Sequence, residues 1–398
     1  MSRDRHVVDP GRRGTWRRLA AAGLVVTLAA VACADPDDRP GGDGAAAGED
    51  DPVRPWRYPT AEWERVDPGD AGFDATGLGQ LADQAEAAGS SCLVVTRDGV
   101  VVDEHHWGPE PATTPRQAFS ITKSVTSTLV GIAADEGALS LDDPVSLHVP
   151  EWRGTASEAV TIRDLLSNSS GRHWDLATDY GQMVLRAEDK TAFAIGLGQD
   201  APPGEVWAYN NSAVQVLSAV LEAATGRPAA EYAESRLFEP IGMAASSLTT
   251  DAAGNTMTFM GLETTCGDLA RFGYLALRDG AWDGEQVVSN DFVETATGVS
   301  STPLNAAYGL LWWLNRPGPV VSPLIATSGR GDTSAGVGPL VPGAPEDAFW
   351  ALGFRNQIVA VVPSEGVVAV RLGAQPPDHS PFTQTELTMG VLDALVGP

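Results

Sequence analysis

Strand-like apolar runs lie at both ends of this chain, and helix-patterned sequence fills the middle. Cys92 to Thr96 and Val100 to His105 flank Asp98-Gly99, the dipeptide of a two-residue hairpin turn. Towards the C-terminus, Tyr308 to Asn315, Ala348 to Phe354, Ile358 to Val362 and Val367 to Leu372 read as further strands, the last two joined through Pro363-Ser364-Glu365-Gly366. Between these ends the apolar period is helical. Ser120 to Glu136 carries Ile121, Val125, Leu129 and Ile132 on one face and stops at Gly137. Further helical patterns run over 161–167, 212–225, 229–238 and 267–278, and two more over 74–88 and 383–395 bracket the strands. Residues 317–346, rich in Gly, Pro and Ser, read as a long loop. Together they predict an α/β fold: one antiparallel sheet built from both ends of the chain, flanked by terminal helices, with an all-helical domain inserted over about 138–300. A site is expected in the cleft between the two layers.

Residues 1–32 read as a signal peptide. Arg12, Arg13, Arg17 and Arg18 precede an apolar run from Leu19 to Ala32, too short to span a bilayer comfortably. The run ends in Ala30-Val31-Ala32-Cys33, similar to a bacterial lipobox, which implies cleavage and a lipid on Cys33. Ordinary cleavage to a secreted product is the alternative. The Asp-, Gly-, Ala- and Pro-rich stretch that follows cannot bury apolar area against its ordering entropy, so 33–65 is expected to be a tether ahead of a domain over 66–398. The expected location is the outer side of the cell membrane, held by the lipid anchor alone. A net charge of -26 excludes nucleic acid and electrostatic docking on anionic lipid as partners. In an exporting compartment Cys92 and Cys266 can form a disulfide or remain two buried thiols, and the residues leave both open.

Only two of the 26 basic residues are lysines, and one of them, Lys123, follows Ser120 by three positions. Lysine can lose its proton and arginine in a protein cannot. Residues i and i+3 share a helix face, so the amine is a candidate base beside a candidate nucleophile. The helix N-terminus adds unpaired N–H groups suited to an oxyanion. Of six tyrosines, only Tyr209 has asparagine two residues on, at Asn211. A phenol can shuttle a proton, and an amide can hold both amine and substrate carbonyl. A third element, Gly353-Phe354-Arg355-Asn356-Gln357, lies at a strand edge and can offer a backbone N–H, expected from Gln357.

In this order and spacing the three elements resemble the serine β-lactamase and penicillin-recognising superfamily, nearest the class C type with its esterase and 6-aminohexanoate-dimer hydrolase relatives. The stretches 161–171, 237–243 and 268–273 carry the same resemblance, which covers about residues 66 to 395. It implies a β-lactamase-like sandwich, with Ser120 as nucleophile, Lys123 as general base, Tyr209 as proton shuttle and Asn211 as positioning amide. The Ser120 and Gln357 N–H groups form the implied oxyanion hole. Where the superfamily has Lys-Thr-Gly, the reading here is Phe354-Arg355-Asn356, and no lysine follows Lys190. The cation that would bind a β-lactam or peptide carboxylate is missing. The expected activity is therefore acyl-enzyme hydrolysis of a small ester or amide, with Tyr180, Trp174 and Trp313 as further candidate pocket residues. The alternatives are a true β-lactamase or DD-peptidase, and an inactive binder of β-lactam or cell-wall peptide. No Gly-x-Ser-x-Gly elbow occurs, the six histidines show no zinc spacing, and neither metal nor cofactor is expected.

Overall fold

The computed structural model describes residues 56–328, 336–374 and 382–396. The leader, Cys33 and the first part of the tether lie outside the described residues. Six strands make the main sheet: β1 Ser90–Arg97, β2 Val100–His106, β3 Trp313–Leu314, β4 Phe349–Gly353, β5 Gln357–Val362 and β6 Val367–Gly373. Their order is β2-β1-β6-β5-β4-β3, antiparallel throughout. The first and last long strands of the chain are thus neighbours, with Val94 opposite Val370 and Thr96 opposite Val368. Closing the sheet through its two ends is what the flanking strand patterns predict. Asp98 and Gly99 both take positive φ, 52° and 89°, as the tight turn between right-twisted strands requires.

Five helices matter to the site: α1 Ala75–Ala87, α2 Ile121–Asp135, α3 Asn211–Thr225, α4 Cys266–Leu277 and α5 Gln384–Asp393. Each starts on a side-chain cap except α2, whose first residue is preceded by Ser120 with its hydroxyl free for other work. The two faces of the sheet are covered by different helices. Trp350 reaches α5, where its indole N–H donates to Thr388 at 2.9 Å. The opposite face meets α4 so closely that a Cβ on Gly273 would lie 2.5 Å from Val368. A methyl there would push the helix off the sheet, which is why a glycine stands in mid-helix. Among the described residues, no helix is long and apolar enough to cross a membrane.

Tyr308 to Asn315 departs from its strand reading. Only Trp313 and Leu314 pair with β4, and residues 308–312 fold into a tight turn with Leu311 at φ 61°. The turn is held by α2 rather than by the sheet: Ser127 and Ser124 donate to the Leu310 and Leu311 carbonyls at 2.6 and 2.8 Å. A short continuous apolar run cannot distinguish a strand from a buried turn whose carbonyls find side-chain partners elsewhere.

Cys92 and Cys266 are joined, tying β1 to the first residue of α4 across a sequence separation of 174. A crosslink closing so long a loop removes much unfolded-chain entropy. Replacing both cysteines by alanine is expected to lower the unfolding free energy by about 2–4 kcal/mol, measured by denaturant titration under non-reducing conditions. An unchanged midpoint would show that the bond adds nothing to stability.

Candidate active site

A short strand, Arg116–Phe119, pairs with Leu262–Thr264 and delivers the chain to Ser120. The turn into α2 is sharp. Phe119 is held at φ 49°, a left-handed conformation that costs a residue with a Cβ roughly 1–2 kcal/mol. Thr122 steadies this corner: its hydroxyl donates to the Phe119 carbonyl and accepts from the Leu262 N–H at 2.9 Å.

One turn into α2, Lys123 is 1 % exposed. Its Nζ contacts three oxygens: Ser120 Oγ at 3.0 Å, Asn211 Oδ1 at 2.7 Å and the Phe259 carbonyl at 3.0 Å. It also sits 4.7 Å from the centroid of the Tyr209 ring. Burial pushes the amine down to about 7, against the opposing pull of the Asp179 carboxylate. An uncharged amine has two N–H groups and one lone pair. The Asn211 and Phe259 oxygens can only accept, so they take the two hydrogens. The lone pair is left facing the Ser120 hydroxyl, the geometry of a base on its proton. The Tyr209 hydroxyl hydrogen-bonds Ser120, and burial drives the phenol far above its ordinary range. Tyr209 therefore keeps its proton at neutral pH, which favours a neutral amine and phenol over a charged pair.

The cavity above Ser120 has a volume of about 630 Å³, and among the described residues none that lines it carries a charge. Phe119, Phe259, Met260, Trp313 and Leu352 form much of the wall, and Leu185, Leu324 and Phe354 stand at the rim. Those three rim side chains are 78 %, 60 % and 64 % exposed, unusual for large apolar groups and concentrated at one mouth. Tyr180 and Trp313 line the cavity, Trp313 stacked on Tyr209 with centroids 5.9 Å apart. Trp174 does not line it; its indole N–H donates to the Tyr209 carbonyl at 3.0 Å and supports that residue from behind.

The third motif is displaced from its expected place. Phe354-Arg355-Asn356 is the hairpin turn between β4 and β5, with Arg355 and Asn356 both at positive φ, 63° and 58°. Their carbonyls accept from the buried Arg371 guanidinium at 2.7 and 3.0 Å. The segment bordering Ser120 is instead Leu352-Gly353-Phe354, preceded by the buried Ala351. A Cβ on Gly353 would lie 2.3 Å from the Ala118 carbonyl, so this strand end and the nucleophile's chain touch backbone to backbone. Arg355 and Asn356 are outside the cavity lining, the Arg355 guanidinium lying 5.8 Å from each of the Phe119 and Phe354 rings.

Gln357 is also outside the cavity. The Asn315 N–H donates to the Ala348 carbonyl opposite it, which sets the alternation along β4. Even-numbered residues there face the β3 edge, and Gly353 faces Gln357 in a hydrogen-bonded pair. The Gln357 N–H is thereby used inside the sheet. Phe354, the first residue of the turn, lines the cavity beside Ser120.

Two contributors were not signalled in the sequence. The Phe259 carbonyl acts through the backbone, which no residue type announces. Asp179 lies on a π-helical turn, Ala177–Val184, thirty residues before the Tyr209 element. That turn is held at its far end by the chain's second lysine: Lys190 Nζ donates to the carbonyls of Met183, Val184 and Ala187 at 3.1, 3.0 and 2.8 Å.

The chain matches the Beta-lactamase family model over residues 39–390. It is 25 % identical over 324 residues to the 6-aminohexanoate-dimer hydrolase of Paenarthrobacter ureafaciens, covering 68 % of this chain and 81 % of that protein. A D-aminopeptidase of Brucella anthropi is 28 % identical over 175 residues, 40 % of this chain and 33 % of the relative. Among solved structures, a provisionally assigned 6-aminohexanoate-dimer hydrolase from Bacillus anthracis superposes with a TM-score of 0.62 at 20 % identity, covering 86 % of this chain and 87 % of that one. A provisionally assigned β-lactamase from Bacteroides dorei gives 0.64 at 20 % identity, covering 82 % and 100 %. Both likenesses concern the fold, an antiparallel sheet with helices, as the sequence predicts. A match across most of the chain, on a fold that brings serine, lysine and tyrosine together, shows that this protein belongs to the β-lactamase family of serine hydrolases.

Proposed function

We propose that this protein hydrolyses uncharged, apolar esters or small amides through an acyl-enzyme on Ser120. The observation that carries this reading is the placement of Lys123 Nζ 3.0 Å from Ser120 Oγ, with the Asn211 and Phe259 oxygens positioned to take the two hydrogens of the uncharged amine. Lys123 removes the hydroxyl proton as Ser120 Oγ attacks the substrate carbonyl carbon. The developing oxyanion rests on the Ser120 N–H, at the N-terminus of α2, and on the Phe354 N–H. The Tyr209 phenol, bonded to Ser120, relays the proton from Lys123 to the leaving group as the carbonyl re-forms. Water then attacks the carbonyl of the ester on Ser120, the same amine takes its proton and returns it to Ser120 Oγ as the C–Oγ bond breaks, and the acid departs.

The lining of the cavity supports the substrate class. A β-lactam or peptide carboxylate brought into a water-poor cavity needs a cationic partner. Among the described residues none that lines the cavity offers one, and the segment beside the nucleophile is Leu352-Gly353-Phe354. Aliphatic or aromatic acyl groups find Phe259, Met260, Trp313 and Leu352 instead.

Labelling with a fluorophosphonate tests the reading directly. One label per molecule on Ser120 is expected, lost in Ser120→Ala. Across a panel of p-nitrophenyl butyrate, a neutral anilide and nitrocefin, turnover is expected to be greatest on the butyrate. A folded protein that neither labels nor turns over any of the three would point to a binding protein. Nitrocefin as the preferred substrate would overturn the substrate class.

A further inference from the structure

We propose that Asp179 is a positioning residue that holds the Asn211 amide with its oxygen towards Lys123. This rests on the reading of Lys123 as base. An asparagine side chain can turn by half a rotation and exchange its carbonyl for its NH₂ with little change of shape. Only one of the two orientations is compatible with catalysis here. With the oxygen facing Lys123, the amide takes a hydrogen from the amine and leaves the lone pair on Ser120. With the NH₂ facing Lys123, the amide donates to that lone pair and competes with the Ser120 hydroxyl for it. Nothing on Lys123 itself enforces the choice.

Asp179 does. Its carboxylate is 1 % exposed and accepts four hydrogen bonds, all from the start of α3. Oδ2 accepts from Asn211 Nδ2 at 2.7 Å and from the Asn211 N–H at 3.2 Å. Oδ1 accepts from the Ser212 N–H at 2.8 Å and from the Ser212 hydroxyl at 2.7 Å. A carboxylate surrounded by four donors offers no hydrogen to an amide oxygen, so turning Asn211 over would set oxygen against oxygen inside the protein. The two backbone donors also fix the carboxylate itself, because they belong to the N-terminus of a buried helix. The clamp at Lys190 holds the other end of the same π-helical turn, so the carboxylate is anchored from both sides.

Asp179 has a second effect through space. The titratable groups around the amine are Tyr209 against it and Tyr180 and Tyr308 behind, and burial raises all three phenols and keeps them neutral. Among the described residues Asp179 is thus the charge that Lys123 feels, and it favours the ammonium. Removing that charge must lower the pH at which the amine becomes a base.

Asp179→Asn is the test, read as the rate of fluorophosphonate labelling at Ser120 against pH, normalised to folded protein. Wild-type labelling lost in Ser120→Ala first establishes the underlying reading, so its failure is seen separately. The variant is expected to label 10- to 100-fold more slowly above the acid limb, because Asn211 now samples both orientations. The acid limb itself is expected to move to lower pH. A purely structural role would reduce the folded fraction and leave the limb in place. The exchanged pair, Asp179→Asn with Asn211→Asp, restores an oxygen to Lys123 and a donor opposite it. It is expected to label at least tenfold faster than Asp179→Asn, with an acid limb above that of the wild type because the charge now touches the amine. Should Asp179→Asn fail to fold, the limb of the exchanged pair alone decides. A limb at the wild-type position in whichever variant folds, or an exchanged pair no faster than the single variant, overturns the proposal.

Discussion

Lys123→Arg is expected to slow acylation of Ser120 by at least a hundredfold while leaving the protein folded. General-base assistance is worth roughly 10²–10⁴ in rate, and a guanidinium cannot accept a proton under any condition the protein survives. In the native site burial brings the amine down to about 7, so both protonation states exist in neutral solution. The sign of the pH dependence follows. Below about pH 7 Lys123 is an ammonium with no lone pair, and kcat/KM should rise about tenfold per pH unit. Above it the amine is free and the rate should level off. The Arg variant is expected to lose this acid limb along with the rate. Stopped-flow acylation with p-nitrophenyl butyrate, with circular dichroism as the check on folding, measures both. A folded Arg variant acylating within tenfold of the wild type would remove Lys123 from the role of base.

Gly353→Ala is expected to cost about as much without touching an ionisable group. Its added methyl would meet the Ala118 carbonyl at 2.3 Å, a backbone atom two residues before the nucleophile. Neither chain can yield easily. Ala118 lies in a strand paired with Leu262–Thr264, and β4 is paired with β5 along its length. The outcome is a separation of the Phe354 N–H from the Ser120 corner. Removing one oxyanion donor costs roughly 10²–10³ in kcat. The loss should appear in kcat with KM little changed, because the N–H meets an oxygen whose charge appears only at the transition state. A normal kcat in Gly353→Ala would show that the strand end is not part of the oxyanion site.

These two residues show how differently the site is written in the chain. Ser120 and Lys123 are one helical turn apart, so their meeting follows from local geometry alone. Tyr209 and Asn211 are equally local to each other, at the entrance to α3. Leu352-Gly353-Phe354 is another matter. The boundary between strand and turn there depends on pairing with β5 and on contact with Ala118, and Phe354-Arg355-Asn356 is just as plausible a strand end on paper. The sequence reading places the motif two residues too far along for that reason, and assigns Gln357 an N–H that the ladder consumes. Asp179 had no signal at all, because an aspartate on an irregular helical turn looks like any solvated one until α3 is packed against it.

The chain's own order determined the antiparallel sheet closed through its two ends, the helices around it, and the serine and lysine on one helix face. Each of these follows from short-range periodicity, from turn residues, or from the need to bury apolar faces. Packing alone decided that the amine can lose its proton near neutral pH, that the Asn211 oxygen is turned towards it, that Cys92 and Cys266 pair, and that an apolar rim surrounds the mouth. Those properties depend on burial and on partners dozens to hundreds of residues away, and neither is a property of any short stretch of sequence.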